Sequence, residues 1–98
     1  RPFTGEYDKH FAEGNYYCAG CDKLLFSSQS KFDSGCGWPA FSHEADDANI
    51  TQLEDTSHGM RRIEVRCSQC DSHLGHLFHE HRGPRYCINS ICLEFRGD

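Results

Sequence analysis

The chain has 98 residues, a formal charge of −5 and seven cysteines. That length fits one domain, residues 1–98, without a second independent core. The acidic balance and the lack of any Lys/Arg run disfavour binding to nucleic acid, and there is no stretch of about 18 apolar residues to suggest a membrane span. An odd cysteine count argues against a fully paired extracellular disulfide framework and for a reducing compartment. Chains this small hide only about 60–65% of their unfolded surface. With eleven Ile, Leu and Val against seven Phe, four Tyr and one Trp, aromatics must carry much of the core. The cysteines are the obvious extra constraint.

Residues 1–14 place Tyr7, His10 and Phe11 at helix-like spacing before Gly14 and predict a short helix or turn. Tyr16–Cys18 and Lys23–Phe26 read as strands flanking Cys18-Ala-Gly-Cys21, a hairpin whose tight turn holds two thiols. Residues 27–37 are polar and read as a loop leading into Cys36-Gly37-Trp38-Pro39. Residues 42–49 are acidic and expected to be solvated. Ile50–Asp55 predicts a strand and Ser57-His58-Gly59 a turn. The clearest strand follows, with Ile63, Val65 and Cys67 on one face and Arg62, Glu64 and Arg66 on the other. Residues 79–84 read as a turn or short loop. Tyr86–Phe95 reads as one last strand with Cys87, Asn89, Ile91, Leu93 and Phe95 on one face. The expected fold is mainly β, a small antiparallel sheet domain with short N-terminal helical segments.

Cys18-x-x-Cys21 and Cys67-x-x-Cys70 stand 45 residues apart. Each pair offers two thiolates from one turn, and zinc takes four tetrahedral ligands, so the pattern predicts a structural four-cysteine zinc site joining distant strands. Two disulfides or redox-active CxxC motifs are the alternatives, although a thioredoxin-like motif belongs in a βαβ unit and none is evident. A site using His73 and His76 with one CxxC pair would leave the other pair unemployed. Four ligands subtracted from seven cysteines leave Cys36, Cys87 and Cys92. Free cysteines are often inert small hydrophobes, and Cys92 fits that reading. Around Cys87, by contrast, Arg85 and Asn89 offer the polar surroundings that favour a nucleophilic thiolate.

These residues resemble a known family, the methionine-R-sulfoxide reductases of the B type. The likeness runs from Arg1-Pro2-Phe3-Thr4-Gly5-Glu6-Tyr7 to Phe95. Its marks are both CxxC pairs, Ser34-Gly35-Cys36-Gly37-Trp38-Pro39-Ala40-Phe41, His73-Leu74-Gly75-His76 and Arg85-Tyr86-Cys87-Ile88-Asn89-Ser90. The resemblance implies that Cys87 attacks the sulfoxide sulfur and becomes a sulfenic acid. Cys36 would resolve it as a disulfide, which thioredoxin would reduce. It implies that Trp38 packs on the substrate methyl with Phe78 as a second aromatic, and that His73, His76 and Asn89 bind or protonate the oxygen. His76 is the closer contact on that likeness, and Arg85 is placed in the pocket. The other histidines, His10, His43, His58, His79 and His81, are expected to be solvated.

Two features depart from the family pattern: the 79–84 segment is short, and Cys92 is an additional thiol. A monomer in the cytoplasm is expected, or in an organelle where a targeting segment precedes Arg1, acting on oxidised proteins or free methionine-R-sulfoxide. Two other function classes compete: a non-catalytic zinc-ribbon binding module, and a redox sensor with a Cys36–Cys87 disulfide.

Overall fold

The computed structural model describes Tyr7, residues 10–33, Gly35, residues 37–45, 49–56, Gly59, and residues 61–81 and 83–97. Among the described residues nine strands follow in chain order: β1 (Gly14–Cys18), β2 (Leu24–Ser27), β3 (Lys31–Phe32), β4 (Ala40–Phe41), β5 (Ile50–Asp55), β6 (Arg62–Cys67), β7 (His73–Glu80), β8 (Gly83–Ile88) and β9 (Leu93–Gly97). They form two antiparallel sheets, one in the order β2-β1-β9 and one in the order β3-β4-β8-β7-β6-β5. The mainly β expectation is met.

Alternation makes these strands. In β1, Gly14, Tyr16 and Cys18 turn inward while Asn15 and Tyr17 are half-buried. In β6, Val65 and Cys67 are fully buried, and the charged residues of the other face stay partly exposed. The core joins both sheets: Tyr16 and Leu25–Phe26 come from the small sheet, and Phe41, Val65, Leu74 and Ile88 from the large one. Phe26 stacks on Phe41 with centroids 4.4 Å apart, and Tyr16 meets Phe41 edge-on at 5.2 Å. Such aromatic contacts add about 0.5–1.5 kcal/mol each beyond area burial. The shortage of aliphatics is answered as the composition required.

Several expectations change. The predicted final strand is broken: β8 ends at Ile88, a 3-10 turn spans Ser90–Cys92, and β9 begins at Leu93. The break is where the chain leaves one sheet for the other, and it turns Ile91 out to 88% exposure instead of into the core. The 79–84 segment is mostly strand, with β7 running to Glu80 and β8 restarting at Gly83. Residues 27–37 include a 3-10 turn at Ser28–Ser30 and β3. Glu44 is not merely solvated, because it accepts the Tyr86 hydroxyl at 2.6 Å. His10 belongs to an aromatic cluster: its Nδ1 lies 3.0 Å from the Tyr16 hydroxyl and its ring 4.4 Å from that of Phe95. His43, His79 and His81 are exposed as expected. The N-terminal segment lies mostly outside the described residues, with a turn at Tyr7 closed by His10 N–H to its carbonyl at 3.4 Å. Ser57 and His58 also lie outside them.

The β7–β8 ladder is unusually close at Gly75. A Cβ there would overlap the Cys87 carbonyl oxygen and lie 2.9 Å from Ile88 Cα, both backbone atoms that cannot swing aside. Gly75→Ala is therefore expected to cost about 1–3 kcal/mol, the range for overpacking, read as a lower urea midpoint at unchanged slope.

Candidate active site

Two matching knuckles bring four thiols together. After Cys18 the chain turns through Ala19–Gly20, Asp22 N–H returns to the Cys18 carbonyl at 2.8 Å, and Cys18 N–H bonds Lys23 O at 2.8 Å. After Cys67 the same pattern recurs, with Asp71 N–H to Cys67 O at 2.9 Å and Cys67 N–H to Ser72 O at 3.0 Å. Asp22 and Asp71 close the turns at φ 68° and 63°, a left-handed conformation that Asp tolerates better than most side chains. The sulfurs of Cys18, Cys21, Cys67 and Cys70 all lie within 4.8 Å of one another. Cys18 Sγ is 3.6 Å from Cys70 Sγ, and Cys21 Sγ is 3.5 Å from Cys67 Sγ.

A tetrahedral metal with sulfur at about 2.3 Å separates its ligands by about 3.8 Å, so the set fits such an ion. All four cysteines are free thiols in this structure. Burial pushes the Cys18 thiol up to about 12, while hydrogen bonds from Ser72 hold Cys70 down to about 6.

Three residues beyond Cys70, β7 carries His73 and His76 into a separate cavity. Its volume is about 480 Å³, and its wall includes Trp38, His73, His76, Phe78, Cys87 and Asn89, with Gly75, Arg62 and Arg85. The strand register pairs His76 directly with Cys87 and Phe78 with Arg85. Cys87 is 8% exposed, and its Sγ accepts from Arg85 Nη1 at 2.6 Å. Arg85 is itself clamped by Glu80 through two bonds of 2.9 and 3.0 Å, and its guanidinium lies 4.7 Å from the Phe78 ring centroid. Asn89 falls just beyond the strand, at the start of the 3-10 turn, and its side chain makes no capping bond there. A larger hollow of about 690 Å³ is also lined by Arg85, with Glu80, and among its described lining residues there is no thiol.

Behind the histidines stands a row of charged residues. Asp55 Oδ2 meets His76 Nε2 at 3.0 Å and Arg62 Nη2 at 3.4 Å. Glu64 Oε2 meets His73 Nδ1 at 2.7 Å and Arg66 Nε at 3.0 Å. Arg66, then His73, hold the Glu64 carboxyl below the usual carboxylate range against the opposing effect of burial.

The cavity thus gathers Trp38, His73, His76, Phe78, Arg85, Cys87 and Asn89. Cys36 lies outside the described residues, although Gly35 and Gly37 beside it take φ of 72° and 90°, backbone conformations that suit glycine. Cys92 is half-buried, and its thiol donates to the His73 carbonyl at 3.2 Å. Sequence reasoning missed Asp55, Arg62, Glu64 and Glu80. Charged residues alternating along β6 were a signal, but they read equally well as a solvated face.

The SelR domain model matches residues 1–97. A peptide methionine sulfoxide reductase MsrB of Pseudomonas putida (strain W619) is 54% identical over 99 residues, covering 98% of this chain and 74% of that protein. One of the same name from Chromohalobacter salexigens is also 54% identical, covering 97% of this chain and 74% of that protein. A probable methionine-R-sulfoxide reductase B of Caenorhabditis elegans is 54% identical, covering 96% of this chain and 65% of that protein.

The thiol geometry predicts one divalent ion per chain by elemental analysis. Cys21→Ser should lower that content and the thermal midpoint together, whereas Cys92→Ser should leave the metal content unchanged.

Proposed function

The chain belongs to the SelR-domain family of methionine-R-sulfoxide reductases, and on that premise we propose that it restores methionine from methionine-R-sulfoxide, free or in oxidised proteins, with Cys87 as the nucleophile. The observation that carries this reading is Cys87 Sγ in contact with the Arg85 guanidinium, in a cavity walled by two aromatic rings and two imidazoles. A cation against sulfur favours the thiolate, the attacking form.

The substrate carries an apolar methyl and a polar S=O. Trp38 and Phe78 supply apolar wall, and His73, His76 and Asn89 supply donors for the oxygen. Placed donors act where negative charge develops. The Cys87 thiolate attacks sulfur while the oxygen takes up a proton, with His76 the closer donor. The products are the thioether and a Cys87 sulfenic acid, so substrate sulfur gains two electrons and Cys87 sulfur loses two. Cys36 condenses with the sulfenic acid, forming a Cys36–Cys87 disulfide and water, and thioredoxin returns both to thiols.

The four-thiol cluster holds zinc in a structural role. Four thiolates close the coordination sphere and leave no position for substrate, so Cys18, Cys21, Cys67 and Cys70 build the scaffold alone. The 98 residues act as one monomeric domain in a reducing compartment, the cytoplasm, where thioredoxin is available. Among the described residues no helix is long and apolar enough to cross a membrane.

Cys87→Ser should abolish reduction of the R epimer while keeping metal and fold; unchanged turnover in a chiral assay would remove Cys87 from the mechanism. Cys36→Ser should keep one turnover per chain and lose cycling with thioredoxin. Sustained cycling at the original rate would transfer the resolving role to another thiol, with Cys92 the first to examine.

A further inference from the structure

We propose that Asp55 is a positioning residue that holds the His76 ring with its proton on Nε2, leaving Nδ1 as the nitrogen that serves the substrate. The inference deepens the reading of the cavity as a sulfoxide site and rests on it. Asp55 ends β5, the edge strand, and lies across from Arg62 on β6. Its Oδ2 reaches His76 Nε2 at 3.0 Å and shares the Arg62 guanidinium at 3.4 Å. All three side chains are only about one-fifth exposed, at 19–23%, so this contact is shielded more than a surface ion pair.

Hydrogen-bond chemistry decides the tautomer. An ionised carboxylate only accepts, so the imidazole nitrogen facing Asp55 must be the one that donates. The other charged and titratable groups around the ring are otherwise engaged. Glu64, the direct cross-strand neighbour of His76 on β6, is drawn to Arg66 and His73. His73 sits 5.4 Å away centroid to centroid. On β8, Cys87 lies opposite His76 and accepts from Arg85, which is clamped to Glu80. The nearer carboxylate therefore serves the neighbouring ring, and the more distant strand supplies the one for His76.

The consequence is a donor that works without turning over. With both nitrogens protonated, Nδ1–H gives its proton to the sulfoxide oxygen as Cys87 attacks. The ring is left neutral with Nε2–H still on Asp55. It takes up its next proton on the same Nδ1, so the imidazole keeps one orientation through the cycle.

The direct test is the nitrogen-15 spectrum of the His76 imidazole in the wild-type protein, which needs no turnover. The neutral ring should show a protonated Nε2 and a bare Nδ1; the opposite tautomer overturns the proposal. Asp55→Asn should lower kcat on the R-sulfoxide about 10- to 100-fold with KM changed less than about twofold, the pattern of a lost supporting contact, and Asp55→Glu should recover part of it. In a His76→Asn background, Asp55→Asn should change kcat by less than about twofold; a further tenfold loss there shows that Asp55 does not act through His76. Loss of the Cys87 reading would show in the Cys87→Ser assay and leave the ring spectrum untouched.

Discussion

The convergence of four thiols between two hairpins is the constraint on which the remaining structure depends. One hairpin belongs to the three-stranded sheet through Cys18, and the other to the six-stranded sheet through Cys67. The two knuckles bring the sheets to one point, and an ion held by all four thiols would fasten one sheet to the other. Metal binding of this kind is worth about 10–16 kcal/mol in small domains, comparable to the whole stability of a domain. The core beneath it, led by Tyr16, Phe26 and Phe41, is packed with rings because the chain has few aliphatics to offer.

That anchor also sets where the chemistry begins. The second knuckle ends at Ser72, and His73 opens β7 at once. The residue count from Cys70 then places both imidazoles of β7, His73 and His76, in the cavity wall. Antiparallel pairing does the rest: His76 falls opposite Cys87, and Phe78 opposite Arg85. Gly75, one position before His76 and paired with Ile88, lets the Cys87 carbonyl approach closer than any side chain would allow. A thiol, a guanidinium and an imidazole are thus assembled from one hairpin. The outer strands contribute Asp55, Arg62 and Glu64 as supports.

Local pattern made some of this legible. Each CxxC pair and the 62–67 alternation is a pattern confined to a few consecutive residues, so the knuckles and β6 could be read directly. The break between β8 and β9 could not, because hydrophobic alternation continues through the 3-10 turn while the chain changes sheets, and Ile91 ends up in solvent. The supports behind the histidines were equally hidden. Asp55 meets His76 across 21 positions of chain, a contact set by sheet register and not by neighbouring residues. For Arg85 the sequence suggested proximity to Cys87, but the Glu80 clamp that orients it depends on the hairpin closing at Gly83. The roles of Trp38, Phe78 and Asn89 came from family resemblance, and the cavity brings those three side chains together.

Sulfenic-acid trapping most directly tests the separation of scaffold sulfur from reactive sulfur. The metal-loaded Cys36→Ser protein would be given one equivalent of methionine-R-sulfoxide and a sulfenic-acid probe, then mapped by peptide mass spectrometry. The account predicts the probe on Cys87 alone, with Cys18, Cys21, Cys67 and Cys70 unmodified and the metal retained. Label on any of those four, or equal labelling by the S epimer, would contradict it.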